Sequence, residues 1–471
     1  MSVTAPRLSR FFHCALLGAL CLGAAAARAD TFLVTNAGTG NTTEYDATGA
    51  FLGVFANEDQ STGGLAFFSS GNLLISNAMN STISEYNGTT GTLVGNFAST
   101  GLNFPAGQAF SSSGNLFVVN NSNNTVAQYN GTTGAFVGIF ANTGMNDPEG
   151  LAISTSGNLF VTNIVNNTVA QYNGTTGAFV GNFASTGLNT PYGLAFSSSG
   201  NLFVVNIGNN TVAQYNGTTG DLVGTFASTG LSQPTGLAFS SSGNLFVLNG
   251  FDNTISQYNG TTGAFVGTFA SMGMNEPRFI VAVPAPGFPS QPGNQTVTPG
   301  GQTAFTVTAS GHPFLQWQRK PHGGSFGNLT NDSTYAGVTT AVLMVTGATL
   351  GMSGDQFRCV ATNVDSSVSS ATVTLTVLIP VSITKQPASL SAKANATVKF
   401  SVTAAGTGPL KYQWKRNNVA LKNSTHITGA TTAAVSLKKI TTKDAGSYTV
   451  LVTGAAGSHA TSKTAKLTVK K

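Results

Sequence analysis

The chain has 471 residues, of which 8% are charged, 41% are hydrophobic and 57 are glycine. The charged share is far below the roughly 25% of typical globular domains, which excludes a protein of long surface helices rich in Glu, Lys and Arg. The hydrophobic share supports packed cores and excludes wholesale disorder. The sequence has no internal run of 18 or more apolar residues, so no membrane span is predicted. The composition therefore predicts a β-rich protein of about three domains.

Residues 1–29 have the pattern of a signal peptide. Arg7 and Arg10 precede an apolar run that ends in the small-residue motif Ala-Arg-Ala, and this order is typical of a cleavable export signal. We predict cleavage after Ala29 and a secreted, periplasmic or cell-surface protein. Two of the three cysteines leave with the signal, so Cys359 has no partner for an intrachain disulfide.

Residues 30–283 contain a 43-residue repeat. A Gly-Leu-Ala-Phe block, with single substitutions, begins at Gly64, Gly107, Gly150, Gly193 and Gly236. Each block is followed by a Ser-Gly-Asn turn, an apolar run, an Asn-rich loop, a polar β run, an Asn-Gly turn and a last β run. Four short strands in about 43 residues match the size of one propeller blade.

The two ends of the repeat array complement each other. The first unit, at about 31–55, lacks the strand that opens every other unit, and residues 277–281 supply one extra opening strand. Five complete units and one unit shared between the two ends predict six blades. Pairing the ends would remove the open sheet edges, which favours a closed ring over an open solenoid.

The repeat unit resembles the NHL repeat, as residues 191–206 and the following 209–212 illustrate. The resemblance covers residues 31–283 and implies a six-bladed β-propeller. This chain departs from the family by having Asn where the family usually has Asp, and Thr211 where the family often has a basic residue. Charge-based partner recognition in the family therefore does not carry over. The Asn positions are Asn36, Asn77, Asn120, Asn163, Asn206 and Asn249.

A Pro-rich linker at 284–292 leads to two further β segments, at 293–380 and 381–471. Each segment has one tryptophan, Trp317 or Trp414, in a short β run, and the second also has an Asp-x-Gly-x-Tyr motif that ends at Tyr448. Both segments resemble immunoglobulin-like domains. The first departs from that pattern at Phe357, which has no hydroxyl for a tyrosine corner. The predicted fold class is all-β: a six-bladed propeller followed by two immunoglobulin-like β-sandwich domains.

Charge is divided unevenly among these regions. Residues 30–283 carry eleven carboxylates and one base, a net charge of −10, whereas residues 381–471 carry fourteen bases and one carboxylate, a net charge of +13. The basic segment could attract an anionic surface or glycan, or it could be a solubilising face. Nucleic acid is not an expected partner, because no base-stacking aromatic residues alternate with the lysines.

The repeat region offers little for catalysis, because residues 30–283 contain no His, Lys or Cys. His312, His322, His426 and His459 lack the spacing of metal ligands. We therefore predict no catalytic residue, no metal site and no cofactor. The alternative is a Ca²⁺-dependent hydrolase or lactonase of the six-bladed propeller type, whose metal would need only Asp, Glu and Asn oxygens. The repeated Asn residues are instead interpreted as turn residues that bond nearby backbone.

A binding surface is predicted where the repeat units differ. One variable position precedes the glycine of each opening strand, and the loop after each second strand, at the same end of the blades, also varies. We expect this end to bind a glycan, peptide or protein ligand of an exported, non-catalytic protein, with the immunoglobulin-like domains as stalk or adhesion modules. The alternative is unconstrained drift, with Arg278 paired to Glu276. The predicted contacts are Glu149, Tyr192, Thr235, Arg278, Ile164, Ile207 and Phe251.

Overall fold

The computed structural model describes residues 30–58, 61–68 and 71–471. The predicted signal peptide at 1–29 lies outside the described residues. Within the described ranges the protein is all-β, and its helical segments are single 3-10 turns. None of the described helices is long and apolar enough to cross a membrane. The 3-10 turns are Ile207–Asn209, Leu350–Met352, Thr442–Asp444 and Ala455–Gly457.

The first part of the chain, residues 30–283, forms six separate four-stranded antiparallel sheets. Its strands are β1 (Thr31–Asn36), β2 (Asn41–Tyr45), β3 (Phe51–Asn57), β4 (Thr62–Phe67), β5 (Leu73–Asn77), β6 (Thr82–Tyr86), β7 (Leu93–Ala98), β8 (Pro105–Phe110), β9 (Leu116–Asn120), β10 (Thr125–Tyr129), β11 (Phe136–Ala141), β12 (Pro148–Ile153), β13 (Leu159–Asn163), β14 (Thr168–Tyr172), β15 (Phe179–Ala184), β16 (Pro191–Phe196), β17 (Leu202–Asn206), β18 (Thr211–Tyr215), β19 (Leu222–Ala227), β20 (Pro234–Phe239), β21 (Leu245–Asn249), β22 (Thr254–Tyr258), β23 (Phe265–Ala270) and β24 (Pro277–Val283).

Five sheets take four consecutive strands, and the sixth has the order β24-β1-β2-β3, so that β24 pairs with β1 across the two ends of the region. We call β4, β8, β12, β16, β20 and β24 the inner strands. Each inner strand lies against the next, and β24 lies against β4, so the succession returns to its start. No single sheet closes on itself.

The sequence explains how the inner strands approach one another so closely. A Cβ atom on Gly107 would lie 2.7 Å from the carbonyl oxygen of Glu149, and one on Gly236 would lie 2.6 Å from that of Arg278. Glycine at these positions therefore lets neighbouring backbones come within contact. A cavity of about 120 Å³ is left between the inner strands. Its lining comes from all six sheets: Gly64, Leu65, Gly107, Gln108, Gly150, Leu151, Gly193, Leu194, Gly236, Leu237, Phe279 and Ile280.

The second strand of each sheet is buried on both faces, as β17 and β21 illustrate. The third strand ends in a tyrosine whose hydroxyl donates to a backbone carbonyl next to the preceding sheet. For Tyr215 the acceptor is Thr186, at 2.7 Å. Tyr45 makes the same bond to Met272, also at 2.7 Å, between the two ends of the region. Repeated apolar strands and repeated tyrosine bonds thus join each sheet to its neighbour.

Residues 284–380 and 381–471, which we call domain 1 and domain 2, are β-sandwiches of the same topology. The strands of domain 1 are β25 (Gly287–Ser290), β26 (Gln295–Val297), β27 (Thr303–Thr306), β28 (Thr308–Ser310), β29 (Phe314–Lys320), β30 (Gly327–Asn328), β31 (Tyr335–Ala336), β32 (Val342–Val345), β33 (Gln356–Thr362), β34 (Ser367–Ser369) and β35 (Val373–Val377). Those of domain 2 are β36 (Ser382–Lys385), β37 (Leu390–Lys393), β38 (Val398–Ser401), β39 (Thr403–Ala405), β40 (Lys411–Arg416), β41 (Val419–Ala420), β42 (Ile427–Thr428), β43 (Ala434–Leu437), β44 (Gly446–Thr453), β45 (His459–Thr461) and β46 (Ala465–Lys470).

Each domain is built around a fully buried tryptophan, Trp317 or Trp414. Both indole nitrogens donate to a backbone carbonyl at 2.9 Å. In domain 2 the hydroxyl of Tyr448 donates to the carbonyl of Asp444 at 2.7 Å, which is the tyrosine corner that the motif predicts. In domain 1 Phe357 stacks on Phe305 just as Tyr448 stacks on Phe400, but Phe357 has no hydroxyl to form this bond. The corner thus follows from a single hydroxyl.

Domain 1 is attached to one end of the six sheets. The turns between inner and second strands lie at this end, which we call the turn end. Here His312 stacks on Phe67 with ring centroids 5.4 Å apart, and Thr31 donates to Asp365 at 3.3 Å. The opposite end carries the sheet-to-sheet connections and the loops between second and third strands. We call it the mouth end, and domain 1 leaves it uncovered.

Candidate binding site at the mouth end

Three of the predicted ligand-binding residues occupy the same place in different inner strands. Glu149, Tyr192 and Arg278 are each the second residue of β12, β16 or β24, directly after a proline. The residue before that proline has a left-handed backbone, with φ of +55° at Asp147 and +51° at Thr190. This conformation turns the connection sharply into the strand. The same local turn therefore places a variable side chain at the mouth end of each sheet.

The long side chain of Arg278 brings these three residues together. Its Nη1 atom lies 2.6 Å from the Tyr192 hydroxyl and 3.8 Å from Oε1 of Glu149. Tyr192 also lies close enough to Glu149 to affect the pKa of that carboxyl. Asn121 donates to Oε2 of the same carboxylate at 3.3 Å. We call Glu149, Tyr192 and Arg278 the mouth cluster.

The mouth cluster joins buried and half-exposed polar groups. Glu149 is 5% exposed and Tyr192 is 6% exposed. Burial raises the pKa of both groups. Burial alone would lower the pKa of Arg278, but the attraction of Tyr192 and Glu149 outweighs it and raises that pKa. The alternative interpretation pairs Arg278 with Glu276, and Glu276 does add to this attraction. The hydrogen bond and the ion pair of Arg278, however, are made with Tyr192 and Glu149.

A pocket of about 200 Å³ opens beside the mouth cluster. It contains four of the predicted residues and four others that the sequence analysis missed, namely Gln233, Gly250, Glu276 and Pro277. Gln233, Gly250 and Glu276 lie on the same variable connections and loops, and that variability was the signal that could have identified them. Pro277 belongs to the repeated motif, so variability does not mark it. The complete lining is Tyr192, Ile207, Gln233, Thr235, Gly250, Glu276, Pro277 and Arg278.

The remaining predicted residues lie around this pocket rather than in its lining. Ile164 packs against the same apolar cluster as Tyr192 and Ile207. Phe251 is 70% exposed on the loop that follows Gly250. The structure thus brings Glu149, Tyr192 and Arg278 into direct contact and leaves Phe251 at the margin.

Five of the six repeated Asn residues accept a backbone hydrogen bond from the connection that enters their sheet, whereas Asn77 accepts one from Asn80 in the turn that follows it. Oδ1 of Asn206 accepts the N–H of Asn189 at 3.0 Å, and its Nδ2 donates to the carbonyl of Gly187 at 3.2 Å. Both partners lie on the connection that enters the same sheet. Asn36 repeats the first bond with Asn275 across the ends of the region, at 3.1 Å. The side-chain oxygens that a calcium ring would require therefore already accept backbone hydrogen bonds.

The chemistry available at the mouth end is recognition by hydrogen bonds and charge. Among the described residues no group of three or more His, Cys, Asp or Glu side chains is placed to hold a metal ion. The described histidines lie elsewhere; His312, for example, is at the turn end, and His426 bonds Asp444 in domain 2.

Comparison with known proteins identifies one of these domains. The model of the immunoglobulin I-set domain matches residues 381–469. Among solved structures, the I-band fragment I67–I69 of titin is 21% identical over 39% of this chain, with a TM-score of 0.30, and this chain spans 65% of that fragment, just under two thirds. A nidogen/laminin complex is 17% identical over 54% of this chain and 98% of the other, with a TM-score of 0.47. Extracellular domains 3–5 of Drosophila OTK are 16% identical over 50% of this chain and 78% of the other, with a TM-score of 0.35.

Proposed function

We propose that this all-β protein is an exported, non-catalytic binding protein whose residues 30–283 form a closed six-bladed propeller of the NHL kind. In this proposal the mouth end receives a glycan, peptide or protein ligand. The observation that carries the proposal is the mouth cluster, in which side chains from three sheets meet beside a pocket. The two immunoglobulin-like domains serve as a stalk or adhesion module.

Contacts between the ends of the six-sheet region support the propeller. The bonds from Tyr45 to Met272 and from Asn275 to Asn36 repeat bonds that the other sheets make between neighbours in sequence. A sheet assembled from both ends of the region is therefore held like the other five. Such closure gives every inner strand a partner within its own sheet and leaves only short edges, which face the central cavity.

The position of domain 1 favours the mouth end as the binding surface. Domain 1 covers part of the turn end and leaves the mouth end uncovered, where the half-exposed Arg278 side chain of the mouth cluster meets solvent. Pockets for whole drug-sized ligands usually measure about 300–1,000 Å³, whereas the pocket here measures about 200 Å³. It is therefore suited to one side chain or one sugar unit of a larger ligand.

Array binding with the full-length exported chain tests this proposal. Once a glycan or peptide binds, we expect Tyr192→Phe and Ile207→Ala each to weaken it by more than about 1 kcal/mol, as hot-spot residues do. Val180→Ala is the matched control, because Val180 is 59% exposed on an outer strand. Equal binding by the parent and both mouth-end variants, with losses caused by changes in the 111–114 turn instead, would place the ligand at the turn end.

A further inference from the structure

Domain 2 presents a cluster of exposed lysines at the end away from domain 1. Domain 1 meets domain 2 around 455–459, whereas the opposite end of β44 lies beside the turns at 394–396 and 438–444. Ala394 donates to the carbonyl of Lys470 at 3.0 Å, and Asn395 donates to that of Ile440 at 2.8 Å. These bonds fasten three segments together. We define the basic tip as their exposed lysines: Lys393, Lys438, Lys439, Lys443 and Lys470.

No side-chain carboxylate of domain 2 neutralises the basic tip. Asp444 is the single acidic residue in 381–471, all of which the structure describes. It is buried and already engaged by Arg416 at 3.3 Å and His426 at 3.0 Å. Lys393 stands directly opposite Lys470 in the strand register, where two like charges repel. The tip therefore carries uncompensated positive charge.

Backbone geometry adds an independent argument. Lys439 has a left-handed backbone with φ of +52°, and the corresponding residue of domain 1 is Gly347, with φ of +66°. Each is followed by a residue, Ile440 or Ala348, whose carbonyl accepts the same bond from the first turn of the domain. Glycine adopts this conformation freely, whereas a lysine does so at a cost. The fold thus does not call for lysine at this position.

The residues of domain 1 that correspond to the five lysines are all uncharged, and their end of domain 1 is a contact surface. Two of its residues, Thr298 and Leu378, line the groove against domain 2. The same end of the same fold thus serves for contact in domain 1 and carries five lysines in domain 2. The five corresponding residues of domain 1 are Thr298, Thr346, Gly347, Gly351 and Leu378.

We propose that the basic tip binds an anionic polysaccharide through Coulombic attraction. Thirteen of the fourteen bases of domain 2 are lysine. Lysine is a hydrated point charge, whereas bidentate phosphate recognition favours arginine. Domain 2 has one large exposed apolar side chain, Val419, so it lacks both the aromatic residues that stack on bases and an apolar element for insertion into a bilayer. The basic tip lies far from the mouth cluster, and this proposal does not depend on the mouth ligand.

Binding of the full-length chain to immobilised polygalacturonate, a linear polycarboxylate, tests the proposal. The tip variant combines Lys438→Gln, Lys439→Gly and Lys443→Gln. The control variant combines Lys385→Gln, Lys411→Gln and Lys463→Gln, which removes the same net charge elsewhere in domain 2. In 50 mM NaCl we expect the tip variant to bind at least about fivefold more weakly and the control less than about twofold, with both differences screened in 500 mM NaCl.

Three results would overturn the proposal. Equal losses in the two variants would assign the binding to net charge rather than to the tip. Absence of polygalacturonate binding by the parent chain would exclude the polysaccharide. Tighter binding of duplex DNA or of phosphatidylglycerol vesicles, lost in the tip variant, would assign the tip to a different polyanion. Thermal melting of every variant checks that the fold is retained.

Discussion

Domain 1 and domain 2 have the same topology but differ in charge, since domain 1 is neutral and domain 2 is strongly basic. Both bury a tryptophan and pair a buried aspartate with an arginine at the end of the same strand. Yet domain 1 has three bases and three acids, whereas domain 2 has fourteen bases and one acid. The comparison shows that a few buried residues determine this sandwich, while the surface charge is free to take on a separate role.

The largest expected difference between the domains lies in the buried aspartates. Asp355 is 1% exposed and receives two bonds from Arg319, at 2.7 and 2.6 Å, whereas Asp444 is 6% exposed with a longer ion pair. We expect Asp355→Asn to cost about 3 kcal/mol, because it leaves a part-buried guanidinium without its counterion. Asp444→Asn should cost about 1–2 kcal/mol. Denaturant unfolding followed by tryptophan fluorescence measures both, and a greater loss for Asp444→Asn would contradict the ranking.

Acid should affect domain 2 through Asp444. Burial tends to raise the pKa of this carboxyl, but bonds from Thr441 and His426 outweigh burial, and the pKa lies below its ordinary value. A carboxyl with a lowered folded-state pKa stabilises the fold above its unfolded pKa of about 4 and loses this contribution as pH falls through the folded pKa. Urea unfolding at pH 6, 4 and 3 should show this loss in the parent. Asp444→Asn should flatten the pH dependence, and parallel curves would contradict the assignment.

A smaller effect is expected at the left-handed position that distinguishes the two domains. Lys439→Gly should raise the unfolding free energy of domain 2 by up to about 1 kcal/mol, since glycine relieves the backbone cost but gains entropy in the unfolded chain. The reverse change, Gly347→Lys, should destabilise domain 1 by a similar amount. No atom lies within 4 Å of a Cβ there, so the new side chain meets no clash and the left-handed backbone is the main cost. Thermal melting checks both changes. A destabilised Lys439→Gly variant would show that the lysine side chain stabilises the fold.

The smallest expected effect concerns Cys359, which occupies the position of Val450 in domain 2. Each backbone N–H donates to a serine hydroxyl: that of Cys359 to Ser370 at 2.9 Å, and that of Val450 to Ser462 at 3.0 Å. Cys359→Val should therefore change the unfolding free energy by less than about 1.5 kcal/mol. Burial raises the pKa of the thiol to about 12, so alkylation should follow unfolding. Rapid labelling of the folded protein would show that the thiol is accessible.

Local sequence patterns accounted for most of the strands. The 43-residue period predicts four strands per unit, and the missing opening strand predicts the pairing of β24 with β1 that the structure contains. These features depend on alternation and turn residues within a few positions, which the sequence displays directly. The repeated Asn residues were harder to interpret. For four of the six, including Asn206, the partners lie 17 and 19 residues earlier, on a connection that returns to them only through the fold.

At the mouth end, too, the sequence indicated which residues matter, whereas only the tertiary structure showed how they meet. Variation among nearly identical units pointed to Glu149, Tyr192 and Arg278 as residues that do not serve the repeat. Only the tertiary structure brings them into contact, because the separation of 129 residues between Glu149 and Arg278 is bridged by the approach of the inner strands and the reach of one arginine side chain. The basic tip likewise depends on two turns and the end of β46, which hydrogen bonds hold together. Charge content is a property of the sequence, whereas its concentration at one end follows from the return of the strands to that end.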